Sequence, residues 1–153
     1  MKIFLSVVFL IVLFSCNGSK RTAPHSGGFP LTGSWKLLQG TVVKGKDTTV
    51  TDYTRDKSFI KIINATHFSF LQHDLQGGKD SATASFSAGG GRYTLQGNQY
   101  TEILEYCSAR NWEGNSFHFT VSIQNDTLIQ TGVEKIADLG IEQINTEKYV
   151  RLK

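Results

Sequence analysis

Two cysteines, two prolines and a single methionine in 153 residues leave little with which to staple a fold covalently. There is no CxxC, no His/Cys group at zinc spacing and no glycine-rich phosphate loop, so the common metal and nucleotide signatures are missing. An excess of one charge is missing as well. The chain has 16 Lys+Arg against 13 Asp+Glu, a formal net of +3, and no basic run interleaved with aromatics, which excludes the footprint of a nucleic-acid binder. Of the four histidines, His67, His73 and His118 have no Ser or Cys nucleophile at readable spacing. Beyond the first sixteen residues no apolar run approaches the roughly 20 residues that a membrane-spanning helix needs.

What is present begins with "MKIFLSVVFLIVLFSC". Lys2 supplies a positive start, and Ile3 to Phe14 form an apolar core broken only by Ser6. That core is too short to span a membrane and fits a signal peptide over residues 1–15. "LFSC", residues 13 to 16, resembles the lipobox of bacterial lipoproteins, with Leu13 at −3, Ser15 at −1 and Cys16 as the acylated residue. The resemblance implies removal of the signal and a lipid on Cys16. With each buried CH₂ contributing about 0.8 kcal/mol, several acyl chains would hold the protein durably on a membrane. Ordinary secretion is the alternative, and only there would the sequons at Asn17, Asn64 and Asn125 matter.

"NGSKRTAPHSGGFP" follows, rich in Gly, Ser and Pro and without periodicity, and reads as a flexible tether over residues 16–30 that carries a solvated His25. The mature chain, Cys16 to Lys153, has 138 residues, with 15 Lys+Arg against 13 Asp+Glu, a net of +2. That is enough for one domain, residues 31–153. With Cys16 lipidated, Cys107 has no partner within the chain and the domain folds without a disulfide.

From residue 57 onward, short alternating runs separated by turn residues predict hairpins. "KSFIKII" and "HFSFLQH" flank "NAT"; "RYTLQ" and "QYTEILEY" flank "GN"; "SFHFTVSIQ" and "TLIQTGV" flank "ND"; and "EKYVRL" closes the chain. Gly-Asn and Asn-Asp tolerate the positive φ of two-residue primed turns. With Gly97-Asn98 as the loop, Leu95 faces Tyr100 and Tyr93 faces Glu102. Tyr93, Leu95, Tyr100, Glu102, Leu104 and Tyr106 then share an inward face.

About Asn125-Asp126, Ile123 faces Leu128 and Val121 faces Gln130, so Phe117, Phe119, Val121, Ile123 and Leu128 point in while His118 points out. A three-residue loop at Asn64 to Thr66 is preferred because it sets Ile60 and Ile62 beside Phe68 and Phe70. A two-residue loop would turn Lys61 onto that aromatic face. "GGKDSATASFSAGGG" reads as a mobile stretch around a weak strand, "TASFS". "GVEKIADLGIEQINTE" is open between a short helix near 134–144 and an irregular excursion, with Gly140 interrupting any helix.

"GSWKL" in the first strand, the meander of hairpins and the terminal "KYVRL" together resemble the lipocalin-like (calycin) superfamily. The resemblance implies an all-β, antiparallel up-and-down barrel of about eight strands. Its closed end would be plugged by Gly33 and Trp35, with Arg151 packed over the indole, a cation–π contact of roughly 0.5–2 kcal/mol. More narrowly, "GGGRYTLQGNQYTEILEY" resembles small lipocalin-like proteins of Gram-negative envelopes. That likeness implies a lipid-anchored envelope protein, at the outer rather than the inner membrane, and a monomer.

A barrel of this size has an interior that side chains fill or that holds one small ligand. The candidate ligand-binding set is Phe68, Phe70, Tyr93, Tyr100, Glu102, Tyr106, Phe117 and Phe119, largely aromatic with one carboxylate. This favours a small, mostly apolar ligand, with no cofactor and no metal. Glu102 either recognises a hydroxyl or amine on that ligand or braces the barrel through its tyrosine neighbours. Catalysis is not expected: His67 and His118 face outward, and Glu102 and Glu105 fall on opposite faces of one strand. The remaining reading is a filled barrel that docks on an envelope protein through an exposed apolar patch near its open end. Trp112, in "SARNWEGNS", is then either a lid over the pocket or a contact residue.

Overall fold

The computed structural model describes residues 30–153. The leader, the lipidation at Cys16 and the tether that the sequence predicts before residue 30 lie outside the described residues. Nine strands follow in chain order: β1 Gly33–Lys44, β2 Asp47–Asp52, β3 Lys57–Ile63, β4 His67–Asp74, β5 Phe86–Gln96, β6 Gln99–Cys107, β7 Ser116–Gln124, β8 Thr127–Ile136 and β9 Ile141–Arg151. All pairings are antiparallel. β1 and β3 to β9 run in sequence order around a sheet that β9 closes back onto β1, forming an eight-stranded barrel. β2 is the extra strand. It pairs with the second half of β1, Gln39–Lys44, along the edge where β3 pairs with the first half, Gly33–Lys36. Pairing of β9 with β1 closes the meander, and among the described strands the outer edge of β2 is left unpaired. This architecture is all-β, as the alternation predicted, and is consistent with a lipocalin-like fold.

The closed end is built around Trp35, which is fully buried. Its indole Nε1 donates to the Leu31 carbonyl at 2.8 Å. The Arg151 guanidinium lies 4.1 Å from the ring centroid and donates through Nη1 to the Thr32 carbonyl. Gly33 sits at φ +145°, and a Cβ there would stand 2.5 Å from Arg151 Nη1, so glycine is what lets the guanidinium reach across. Leu31, Leu37, Ile63, Phe68, Tyr100, Leu128 and Tyr149 complete this apolar floor.

The β5–β6 and β7–β8 hairpins take the registers their turns predict, with Leu95 opposite Tyr100, Tyr93 opposite Glu102, and Ile123 opposite Leu128. Four local expectations are corrected. The β3–β4 turn has two residues, Ala65 and Thr66. The Asn64 side-chain carbonyl accepts from the Thr66 and His67 amides, and Ile63 pairs with Phe68. This flips β3, so that Lys61 and Ile63 are buried and Ile62 is exposed.

A bulge between Gly90 and Gly91 shifts the end of β6 by one position, which turns Tyr106 outward and Cys107 inward. A side chain on Gly91 would overlap the Ile103 carbonyl oxygen, so the bulge requires glycine. The weak strand predicted around Ser85 is the start of an eleven-residue β5. Finally, residues 134–144 are two long strands joined by a single 3₁₀ turn, Ala137–Leu139, closed by Gly140 at φ +61°.

Candidate functional site

Above the apolar floor the barrel interior changes character. Lys61 on β3, Glu102 on β6 and Gln130 on β8 are 2 %, 7 % and 1 % exposed, an unusual degree of burial for such side chains. They satisfy one another: Lys61 Nζ is in direct ion-pair contact with Glu102 and donates to Gln130 Oε1 at 2.9 Å. The ammonium also stands 5.4–5.7 Å from the ring centroids of Phe68, Tyr100 and Tyr149. A buried charge is tolerable only when it is compensated in this way.

Next to this group, β9 contributes Glu147, whose Oε2 accepts from the Tyr149 hydroxyl at 2.7 Å. Further toward the open end, Glu134 on β8 accepts from the side-chain amides of Gln143 and Asn145, both at 2.8 Å. Burial raises the Glu147 carboxyl above its ordinary range. Lys61 pulls in the opposite direction, and Glu102 adds to the rise. Burial, reinforced by nearby carboxylates, likewise drives the Tyr100 and Tyr149 phenols upward.

These groups line a cavity of about 240 Å³. One wall, from β8 and β9, is polar: Gln130, Glu134 and Glu147. From β3, β4, β6 and β7 come the apolar residues Phe59, Phe70, Leu104, Phe117 and Phe119, with the Lys61–Glu102 pair set among them. Phe59 stacks on Phe70 with centroids 5.7 Å apart. Ser87, Cys107, Ala109 and Trp112 line the cavity where β6 gives way to the 3₁₀ turn Arg110–Trp112, at the end opposite Trp35. The Trp112 ring lies 5.8 Å from Phe117, so this residue is tucked against its own barrel at the mouth. The volume falls just under the range of roughly 300–1,000 Å³ typical of drug-sized ligands.

Of the eight candidates read from the sequence, Phe70, Glu102, Phe117 and Phe119 line the cavity. Phe68 and Tyr100 lie beneath it in the floor. Tyr93 stands against Tyr100 and donates its hydroxyl to the Asn64 carbonyl at the closed end. Tyr106 does not belong to the site: it is 70 % exposed on the outer face, because of the bulge. Gly33, Trp35 and Arg151 form the barrel floor described above.

Sequence reasoning missed Lys61, Gln130, Glu134 and Glu147. The parity of β8 could have placed Gln130 inside, since the Asn125-Asp126 turn fixes it opposite the inward Val121. Among the described residues no group of three or more His, Cys, Asp or Glu is placed to hold a metal ion, and no helix is long and apolar enough to cross a membrane. Comparison with known proteins finds no matching family model, no matching curated protein and no matching solved structure.

Proposed function

We propose that this protein is a lipid-anchored barrel of a Gram-negative envelope that holds one small, largely apolar ligand in its interior. The observation that carries the ligand reading is the cavity itself. It is lined by aromatic and aliphatic side chains with a few buried charged and amide groups among them, and its mouth lies at the end opposite the Trp35 floor. Apolar surface with a few placed polar groups is the usual composition of a small-molecule site. The anchor reading rests on "LFSC" at residues 13–16 and the polar tether that follows. A tether that enters beside Trp35 would leave the mouth facing away from its attachment point.

Native mass spectrometry of the full chain, released from envelope extract in mild detergent, tests the ligand reading. An adduct of a few hundred daltons that disappears in Phe117→Ala supports it. A clean apo mass with no uptake from envelope extract refutes it. A second reading, docking on an envelope protein, is favoured by one observation: Leu71, Phe86 and Tyr106 are exposed together on the outer face of β4 to β6.

A further inference from the structure

The charged groups lining the cavity do not balance. Three carboxylates, Glu102, Glu134 and Glu147, share it with one ammonium, Lys61. Lys61 is committed to Glu102 and Gln130, and Glu134 is held by two side-chain amides. Glu147 is left over. Among the described residues it forms no ion pair, and the hydrogen bond it accepts comes from the Tyr149 hydroxyl. It nevertheless lines the cavity and keeps part of its accessible surface there. We propose that the cavity takes a small organic cation, a primary amine with an apolar body, with Glu147 as its counter-ion; this rests on the reading of the barrel as a ligand holder.

The surroundings of Glu147 suit an ammonium and disfavour other charge classes. The Tyr149 ring stands next to it, Phe59 lies 6.3 Å from that ring, and Phe70 stacks on Phe59. Aromatic faces beside a carboxylate are the usual setting for an ammonium group, and Lys61 already exploits the same chemistry one layer below. An anionic ligand would have to take Lys61 away from Glu102 while facing two further carboxylates. A neutral ligand would leave Glu147 desolvated without a counter-ion, the condition that now raises its proton affinity. The carboxylates do not converge on a metal-binding geometry, so an extended organic cation fits their spacing better than a bare ion. The apolar body would then lie along Phe70, Leu104 and Phe117 toward the mouth.

Isothermal titration calorimetry on the full chain in detergent, at about pH 8, compares hexylamine with hexanol and phenethylamine with phenethyl alcohol. The amine of at least one pair binds about tenfold tighter or more than its alcohol, as a charge-assisted contact in a shielded site requires. In Glu147→Gln that ratio falls to about one, whereas Glu142→Gln, an exposed carboxylate on the same strand, preserves it. The amine preference also fades as pH falls and Glu147 takes up a proton. The ligand amines stay charged there, and the groups facing Glu147 are Lys61, Glu102, Glu134 and the phenols of Tyr53, Tyr100 and Tyr149. Alcohols binding as tightly as amines to the unmodified protein would overturn the ammonium assignment and leave the cavity reading standing. No binding of either class at millimolar concentration would refute the cavity reading itself.

Discussion

Lys61→Met is the sharpest test of how the interior is held. Methionine keeps most of the aliphatic stem, so little apolar burial is lost and the change isolates the charge. In the variant Glu102, only 7 % exposed, loses its contacting cation, and the buried Gln130 carbonyl loses its donor. Removing one member of a buried ion pair costs about 3–5 kcal/mol, largely as the penalty of an uncompensated charge. The unsatisfied Gln130 oxygen alone would cost about 1–3 kcal/mol, and because the two losses share one group they do not simply add.

A loss of about 3–5 kcal/mol is a large share of the roughly 5–15 kcal/mol by which a domain is typically stable. Urea unfolding at neutral pH, followed by tryptophan fluorescence and checked for coincidence with circular dichroism, reads it directly. The double variant Lys61→Met/Glu102→Leu removes both charges. It also removes from Glu147 the attraction of Lys61 together with the smaller, opposing repulsion of Glu102. It should still recover to within about 1 kcal/mol of the unmodified protein or exceed it. A single-variant loss below about 1 kcal/mol, or single losses that add to within about 0.5 kcal/mol, would mean that the pair is not closed off from water as described.

Trp35→Ala should cost about 3–5 kcal/mol in the same unfolding assay, and a loss below about 1 kcal/mol would remove the indole from the barrel floor. Glu147→Gln should stabilise the ligand-free protein at neutral pH and lose that advantage on acidification. The folded carboxyl is raised above its ordinary 4.5, so as pH rises past that value the unfolded chain ionises first and the unmodified protein loses stability, which is fully retained below it. Thermal denaturation from pH 4 to pH 8 reads the effect, and a gain independent of pH would contradict burial as its cause. Cys16→Ser should abolish acyl labelling and leave an unprocessed precursor, whereas unchanged labelling would return the chain to ordinary secretion.

The barrel was legible because its evidence is local. Asn125 adopts φ +53° at its turn, and Gly97 φ +60° at another, as two-residue primed loops demand, and each turn fixes its register. The interior was less legible because side-chain parity was decided by polarity wherever a turn left a choice. At Asn64 to Thr66 that preference selected a loop keeping Lys61 outside, whereas the Asn64 carboxamide closes a shorter turn that puts it inside. The partners that make an inward lysine tolerable are on β6 and β8, 41 and 69 residues away, so nothing near Lys61 announces them. Tyr106 was misplaced by a bulge, which inserts one residue without changing the alternation on either side of it.

The failures of the polarity rule are concentrated in one region. Residues 132–146 resisted assignment because Glu134, Gln143 and Asn145 occupy inward positions and break the apolar alternation of β8 and β9. The same wall supplies Gln130 and Glu147, and across the barrel lies Lys61, the other residue that the rule misplaced. Buried ion pairs replaced by apolar residues of similar volume are often neutral or more stable, so stability alone does not account for this belt. Filling the space with leucine and phenylalanine would have been the simpler route to a stable barrel. Positions where local rules fail together are where function is expected. Here they converge on a single cavity of about 240 Å³, so the irregularity of the sequence and the polarity of the site have the same origin.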